Sequence, residues 1–521
     1  MRDIRCELLT CLLLAAAQLP LTAQSAVTVP ASAPLPSPMT DSHSVEMEQK
    51  LEAISSTLAT TSQQLQQSQQ EIQQLREELA QIKKQLASIQ PVPGESPNTG
   101  NTPAGTVGAA QTAASIEALQ EQQQTIEAQV KLHDQTKLES SSKYPLYVSG
   151  LILFNSFVNL GSVDSTDLPE VALSNQGNTT GNGNAGASFR QTILGLEGYG
   201  PRIAGARTSA YVDLDFFGGL AYTSYGTSAG TVRMRTASIN LDWDSDSIQA
   251  GMVAPLISPL SPTSYATVAV PALAGAGNLW AWSPQLKYAH QVPLQSGRRL
   301  QFEFGLWDPP AAGYSTSTII RSPSPGEASK QPGYESRVSY GTFTGEHPSQ
   351  IGLGGYYSRQ SYPSGEGIDS WAVTTDWRIP LGNVEISGEG YRGRALGGLG
   401  GGAYKNALFG TDPVTGLNTY RGLDAIGGWT QFKARFGQLV EANASIGLDD
   451  GFANDFHSIV FPPTPTATQL RARNRMAMGN LIFRPKTYLI LSPEYRRIWT
   501  WPIRGAASTA DIFTLSAGYQ F

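Results

Sequence analysis

The sequence has little charge and almost no cysteine. Of its 521 residues, 15% are charged and only 2 are cysteines. A typical soluble domain carries about 25% charged residues, yet the hydrophobic fraction here is only 40%. The charged fraction is low, and the hydrophobic fraction is not raised to compensate. This combination argues against a cytosolic enzyme. No apolar run of about 18 residues or more follows the first 25 positions, which excludes a membrane-spanning helix there.

Aromatic residues are absent from the first 143 positions. All of the Phe, Tyr and Trp residues lie between Tyr144 and Phe521. The charge divides at the same place, because residues 1–143 carry 15 acidic and 9 basic residues whereas residues 144–521 carry 27 of each. The chain therefore combines two differently built regions.

The N-terminus is typical of an export signal. Two arginines precede a short apolar stretch, and small residues follow it, so we expect residues 1–24 to be a signal peptide. Both cysteines, Cys6 and Cys11, fall within this segment, and the mature chain would have no disulfide and no catalytic thiol. A lipoprotein signal ending at Cys11 is disfavoured because the apolar core follows that cysteine instead of preceding it.

A coiled coil is predicted for residues 47–90. Apolar residues recur there at alternating spacings of three and four, between Gln, Glu and Lys and with no Gly or Pro inside. Leu at the first seam position with Ile at the second favours trimers or tetramers over dimers. A lone solvated helix is disfavoured because it would leave the stripe in water. The residues assigned to oligomerisation are Leu51, Ile54, Leu58, Leu65, Ile72, Leu75, Leu79, Ile82 and Leu86.

Polar segments flank this coiled coil. Residues 25–46 are predicted to be a disordered linker, and the Pro/Gly/Ser/Thr-rich residues 91–114 a second linker. A second helix is predicted for residues 115–143, with His133 at a seam position. We interpret His133 as a tolerated polar seam residue and not as a metal ligand.

Short alternating segments fill the sequence from residue 144 onward. Apolar and polar residues alternate, for example, at residues 206–216, 300–306, 371–379 and 440–448. A period of two makes one face of a strand apolar. A soluble β-sandwich would alternate as well, but no further region is left to cover the apolar faces, so lipid is the remaining partner. We predict an all-β transmembrane antiparallel barrel over residues 144–521, preceded by an α-helical coiled-coil stem.

Size and the last strand support the barrel. At roughly 20–25 residues per strand with its connection, residues 144–521 give about 16 strands, with about 14 to 18 allowed. A barrel of that size leaves an aqueous lumen. The last nine residues alternate and end with Tyr519 and Phe521, which resembles the closing strand that serves as the assembly signal of bacterial outer-membrane barrels. The parity switches around residues 233–243, where we expect a bulge.

The basic residues of the barrel region are mostly arginine, with 22 Arg against 5 Lys. Arginine presents a planar fork that matches carboxylates and phosphates, and arginine rings in pores favour anions. The residues predicted to line the pore and bind anions are Arg207, Arg233, Arg235, Arg378, Lys433, Arg435, Arg471, Arg473, Arg475 and Arg496. In the alternative, these residues pair with lumen acids and only brace the wall. The candidate acids are Asp213, Asp215, Glu385, Glu389 and Glu494.

The segment 254–283 is long and rich in Pro, Ala, Ser and Leu. A connection of this length inside a barrel is usually functional. It follows roughly the fifth or sixth strand, where general porins fold a loop inward to narrow the channel. A long external loop that serves subunit contacts is the alternative. The glycine-rich residues 397–402 are predicted to be a flexible external loop.

Three segments resemble the DcaP-like outer-membrane porins, which combine a signal peptide, an N-terminal coiled coil and a barrel. They are residues 215–218 (Asp-Phe-Phe-Gly), residues 233–235 (Arg-Met-Arg) and the stem-to-barrel junction at residues 131–151. The resemblance implies a homotrimeric channel in the cell outer membrane, with the coiled coil in the periplasm. It also implies dicarboxylates and related small anions as solutes.

We therefore expect an outer-membrane porin that lets small anionic solutes, dicarboxylates among them, diffuse passively. Its other partners would be outer-membrane lipid and the barrel-assembly machinery. No cofactor, metal or nucleic acid is expected. Catalysis is not expected either, because the five histidines are scattered and no nucleophile motif accompanies them. The alternatives are a carbohydrate- or phosphate-selective porin and, from another class, a structural barrel that tethers the envelope.

Overall fold

The structure, a computed structural model, describes the barrel region of the chain. The described residues are 145–174, 182–220, 230–309, 311, 322–343, 348–363, 365–463 and 471–521. The predicted signal peptide, coiled coil, both linkers and second helix, together with the seam residues of the coiled coil, lie outside them. Among the described residues, no helix is long and apolar enough to cross a membrane.

Strands make up most of the described residues, as the two-residue alternation predicts. They are β1 (Leu146–Leu160), β2 (Gly183–Ser188), β3 (Ile193–Tyr199), β4 (Arg207–Asp215), β5 (Arg233–Asp242), β6 (Asp246–Val253), β7 (Ser283–Pro293), β8 (Arg299–Trp307), β9 (Gly333–Thr342), β10 (Ser349–Ser361), β11 (Gly367–Leu381), β12 (Val384–Arg394), β13 (Ala407–Thr411), β14 (Asn418–Gly422), β15 (Asp424–Phe436), β16 (Val440–Gly451), β17 (Arg471–Lys486), β18 (Leu489–Pro502) and β19 (Ser508–Gln520). The helical turns are Gln295–Gly297, α1 (Pro325–Ala328), Gly397–Leu399, α2 (Gly401–Tyr404) and α3 (Ala453–His457).

The sheet closes on itself. Every strand except β13 and β14 belongs to one antiparallel sheet, and β1 pairs with β19 in a register that includes Asn155 opposite Ser516. Because β2 and β3 both pair with β1 and follow each other along it, they form one wall strand. The described residues thus build a closed barrel of sixteen strands, which confirms the predicted barrel and strand count. β13 and β14 form a separate hairpin.

The connections differ between the two ends of the barrel. At the end where β1 begins, strands are joined by turns as short as residues 382–383. At the opposite end the connections are long, among them residues 254–282 and 395–423. We call these the turn end and the loop end. In outer-membrane barrels the short turns are periplasmic and the long loops external.

Alternation sorts the side chains between the two faces of the wall. On β19, Phe513 and Leu515 are exposed on the outer face, whereas Ile512 is buried inside. The apolar outer face is what a lipid-facing wall requires. The expected irregularity near residue 233 is confirmed, because the pairing of β4 with β5 shifts between Asp213 and Leu214 and leaves Arg235 without a partner in the register.

The last residue contributes to the seam between β1 and β19. The backbone N–H of Phe521 donates to the carbonyl of Gly150, and the N–H of Gly150 donates to the carbonyl of Phe521, both at 3.0 Å. The assembly-signal role of Tyr519 and Phe521 stays a prediction.

Candidate functional site

The segment between β6 and β7, residues 254–282, folds into the barrel; we call it the inner loop. It contains no charged residue. Its side chains are buried against the wall, as at Ile257 with 1% exposure and Ala276 with 0%. It leaves the fifth wall strand, and the expectation that it folds inward is confirmed.

Side chains of the wall satisfy the backbone of the inner loop. A loop without regular structure carries polar backbone groups that need partners when buried. The Glu389 carboxylate accepts hydrogen bonds from the N–H of Leu260 at 2.7 Å and from the Ser258 hydroxyl. Gln431 Oε1 accepts from the N–H of Thr263 at 2.7 Å. β12 and β15 therefore position the loop on the side of the lumen away from β6.

Apolar side chains hold the same loop. Leu260 and Leu273 lie in one buried cluster with Met476, Met478 and Ile498, which occupy inward positions of β17 and β18. Apolar residues on the inner face of a large barrel would otherwise be in contact with water. Here they contact the loop, which explains their place in the sequence pattern.

Gly277 brings the loop backbone against the wall. Its φ is +97°, a conformation that side chains rarely adopt. A Cβ there would also overlap the carbonyl oxygens of Gly428 and Leu448. This approach requires glycine.

Two further connections enter the barrel from the loop end. The N–H of Ala172, which follows β1, donates to Thr500 Oγ1 at 3.0 Å. The N–H of Trp280 in the inner loop donates to the carbonyl of Leu399 at 2.9 Å. The prediction of a flexible external loop at residues 397–402 is therefore wrong. Because these glycines have no side chains, they can pack closely against the inner loop, and Gly400 takes a φ of +84° there.

A buried carboxyl group joins two of these connections. Tyr404 donates its hydroxyl hydrogen to Glu170 Oε2 at 2.9 Å. Burial, followed by the nearby negative charge of Asp164, raises the pKa of Glu170 to about 7. The contact between residues 161–174 and the connection after β12 therefore depends on the protonation of Glu170.

Basic side chains collect on the inner wall near the turn end. The members of this cation cluster are Arg378, Lys433, Arg435 and Arg484, with the carboxylates Glu385 and Glu441. The shortest ion pair among them, from Arg435 to Glu385, is 3.5 Å, and the pair from Arg484 to Glu441 is 4.0 Å. Four cations share two carboxylates, so the cluster has two positive charges in excess.

Arg484 was not among the residues predicted from the sequence. The two-residue alternation could have predicted it, because Arg484 follows Asn480 and Ile482 on the inward face of β17. Its Nη2 lies 3.4 Å from the hydroxyl oxygen of Tyr265 in the inner loop. The cluster and the loop are thus adjacent.

The other inward arginines are mostly engaged by neighbours. Arg233 binds Asp215 at 2.6 Å and Arg496 binds Glu494 at 2.9 Å, so these two brace the wall as the alternative interpretation expects. Three more have different surroundings. Arg207 occupies an inward position of β4, Arg235 lies 4.7 Å from the ring centre of Trp282, and Arg471 lies 5.7 Å from that of Tyr404.

Arg473 and Arg475 lie on the outer face of the wall. Their neighbours Asn474 and Met476 are buried inside, and both arginines are exposed. Their assignment to the pore is therefore wrong. The three arginines alternate in sequence, but the pairing of β17 with β18 shifts between Arg471 and Arg473, so only Arg471 lies on the inside.

Comparison with known proteins gives similarity in structure alone. No protein-family model matches the sequence, and no curated protein matches it. The outer-membrane channel DcaP of Acinetobacter baumannii superposes with a TM-score of 0.55 at 13% identity, over 74% of this chain and 99% of that one. An anion-selective porin from Comamonas acidovorans gives a TM-score of 0.45 at 12% identity, over 73% and 100%. OmpF of Salmonella typhi gives 0.42 at 13%, over 73% and 98%.

Proposed function

We propose that this chain, which has the fold of the DcaP channel, is an outer-membrane porin that passes small anionic solutes passively, dicarboxylates among them. The observation that carries the proposal is the cation cluster on the inner wall. There, the side chains of Arg378, Lys433, Arg435 and Arg484 share two carboxylates. An excess of fixed positive charge in an aqueous pore attracts anions and repels cations.

The geometry of the cluster suits exchange with a solute. Its ion pairs are 3.5 to 4.0 Å long, beyond the 2.7–2.9 Å of a strong charge-assisted hydrogen bond. Arg378 and Arg435 keep 32% and 34% of their side-chain surface exposed. Donors of several guanidinium groups therefore remain available to a carboxylate, and two separated groups match a solute with two carboxylates.

The inner loop supports a constriction in this proposal. It crosses the lumen from β6 to the inward side chains of β12 and contributes no charge of its own. Because Tyr265 of the loop lies beside Arg484, solutes would pass the loop and the cation cluster in succession. The loop would select by size and the cluster by charge.

We further propose a homotrimer in the cell outer membrane, with the loop end outside and the N-terminal coiled coil in the periplasm. The apolar outer face of the wall supports contact with lipid. The trimer rests on the heptad seam of residues 47–90, in which Leu and Ile predominate.

A carbohydrate-selective porin is the second candidate. A cavity of about 380 Å³ at the loop end is lined by Trp280, Trp282, Asp308 and Glu327, among others. Aromatic faces with nearby carboxylates suit a sugar ring with its hydroxyl groups. The cation cluster, at the other end of the lumen, would have no role in a carbohydrate-selective porin.

Planar-bilayer recording tests the proposal. The purified protein should insert with conductance in three steps, and the reversal potential in a KCl gradient should show anion preference. Cation preference would contradict the role of the cluster, and single steps from a monomer would contradict the trimer. Permeation of succinate, phthalate and a neutral sugar, measured side by side, separates the two candidates, because a sugar that passes faster favours the second.

A further inference from the structure

Arginine and tryptophan side chains form a patch on the outer face of the wall at the loop end. The members of this rim patch are Arg473, Arg475, Arg497, Trp499 and Trp501. They occupy outward positions, because the residues between them, such as Met476 and Ile498, are buried inside the barrel. The patch therefore lies outside the pore and has no part in the solute path.

The strand register brings these side chains together. Arg475 lies opposite Trp499, and Arg473 lies opposite Trp501. The guanidinium carbon of Arg475 is 5.1 Å from the ring centre of Trp499, and that of Arg497 is 5.3 Å from the same ring. The indole of Trp499 is thus in cation–π contact with two arginines.

Neighbouring acids neutralise only part of the patch. Arg473 binds Asp450 at 2.5 Å, and Arg497 binds Asp511 at 3.4 Å. Among the described residues, Arg475 has no ion-pair partner. One positive charge is in excess, and the side chains of Arg473 and Arg497 are still 45% and 41% exposed.

The position of the patch indicates the depth of the lipid headgroups. An outward arginine costs about 2–4 kcal/mol at the bilayer midplane and about 0–1 kcal/mol near the interface. Tryptophan is enriched at that same interface. A similar combination occurs on β12, where Arg392 lies 5.4 Å from the ring centre of Trp371 and 4.3 Å from that of Phe452.

An apolar groove lies directly below the patch. Ala477 and Gly479 follow Arg475 along the outward positions of β17, and a cavity of about 670 Å³ opens over Gly479. A methyl group added at Gly479 would meet only a backbone oxygen at 3.7 Å, so the space outside it is open. The outward apolar residues that line the groove are Val158, Ala442, Leu481, Pro493, Tyr495, Phe513 and Leu515.

We propose that the rim patch and the groove bind one anionic lipid of the external leaflet, an acylated lipid with phosphate on its headgroup. The forked guanidinium groups match phosphate oxygens, and the groove accommodates an acyl chain. The excess charge of the patch selects an anionic over a zwitterionic or neutral headgroup. This inference requires that the barrel spans a membrane and is independent of which solute the pore passes.

The test uses the full-length protein in detergent, native mass spectrometry and two probes, a bis-phosphorylated, multiply acylated glycolipid and its dephosphorylated form. The wild-type protein should bind the phosphorylated probe at least about tenfold more tightly than the other. The double variant R475Q/R497Q should lose most of that difference. R359Q is the matched control, because Arg359 lies on the outer face of β10 and is bound to Asp369 at 2.7 Å without a tryptophan neighbour.

A second variant tests the groove separately. Gly479→Leu should fill it, and should weaken binding of the acylated probe while the barrel still folds. Equal binding of both probes, or wild-type binding by R475Q/R497Q, would overturn the proposal. The proposal would also be overturned if R475Q/R497Q lost its oligomeric state in lipid-free detergent. The patch would then bind a second copy of this chain instead of a lipid. Anion preference in bilayers should be unchanged in R475Q/R497Q, which separates this test from that of the pore.

Discussion

The N–H of Leu260 donates a 2.7 Å hydrogen bond to the carboxylate of Glu389. Leu260 belongs to the inner loop that follows β6, whereas Glu389 projects from β12, six wall strands farther along the barrel. The same carboxylate accepts from the Ser258 hydroxyl. One side chain therefore supplies two of the contacts that keep the loop across the lumen.

Replacing Glu389 with alanine should release this part of the inner loop. The buried N–H of Leu260 would lose its acceptor, at a cost of about 1–3 kcal/mol, whereas the Ser258 hydroxyl would keep the carbonyl of Leu279 at 2.6 Å. We expect a larger and noisier single-channel conductance, with a barrel that still folds and unfolds cooperatively on heating. Glu389→Gln is the control, because its amide oxygen still accepts from Leu260. Wild-type conductance in Glu389→Ala would show that the carboxylate does not position the loop.

The double variant R435Q/R484Q should abolish anion preference. It leaves Arg378 and Lys433 to balance Glu385 and Glu441, so the excess charge of the cation cluster becomes zero. The chloride-to-potassium permeability ratio, from the reversal potential in a KCl gradient, should fall several-fold towards one.

Arg299→Gln provides the matched control for the cation cluster. Arg299 is also an inward arginine near the turn end, but it donates to Gln291 at 2.8 Å and lies outside the cluster. This variant should keep most of the anion preference. An equal fall in both variants would indicate a general effect of lumen charge and would contradict a specific role for the cluster.

Conductance should rise between about pH 4.5 and pH 7, because residues 161–174, which enter the barrel, dock less firmly against the connection after β12 as Glu170 loses its proton. The pKa of Glu170 is raised from 4.5 to about 7, chiefly by burial and then by the negative charge of Asp164, while the hydrogen bond from Tyr404 lowers it. The docked form binds the proton more tightly, so docking is most stable below pH 4.5 and weakens as the pH rises through 7. Each pKa unit between the docked and the undocked form corresponds to about 1.4 kcal/mol of docking free energy. Glu170→Gln should reduce the pH dependence without removing all of it, because burial also raises the pKa of the neighbouring Asp164. An unchanged profile in that variant would assign the pH dependence elsewhere.

Gly277→Ala should destabilise the inner loop by more than backbone strain alone. Gly297→Ala is the matched control, since Gly297 also has a positive φ, of +71°, but its added Cβ would meet nothing within 4 Å. The strain at either position costs about 1–2 kcal/mol, and only Gly277 adds an overlap with the wall. Urea unfolding should therefore show the larger loss for Gly277→Ala. Equal losses would mean that the loop can move away from Gly428 without cost.

The barrel and its strand number could be predicted because strand geometry sets the two-residue period and membrane thickness sets the strand length. The inward fold of residues 254–282 was predictable from its length and place. Contacts across strands were not. Arg473 is far from Asp450 in sequence, and only the register places them 2.5 Å apart.

The assignment of side chains to a face was reliable only where pairing is regular. The shift near Arg471 moved Arg473 and Arg475 to the outer face, and no local pattern in the sequence marks it. The apolar inward residues Met476 and Met478 also depart from the rule of a polar lumen. These two residues are apolar because they pack against the inner loop, a tertiary contact that cannot be predicted from local alternation.

The inner loop carries no charge, and the excess charge of the cation cluster lies near the turn end. Fixed charge at one mouth of a narrow aqueous passage enriches mobile anions under one polarity of voltage and depletes them under the other. In the proposed pore this makes the barrel an ionic rectifier. The sign of the rectification would then report which way each barrel has inserted into a bilayer.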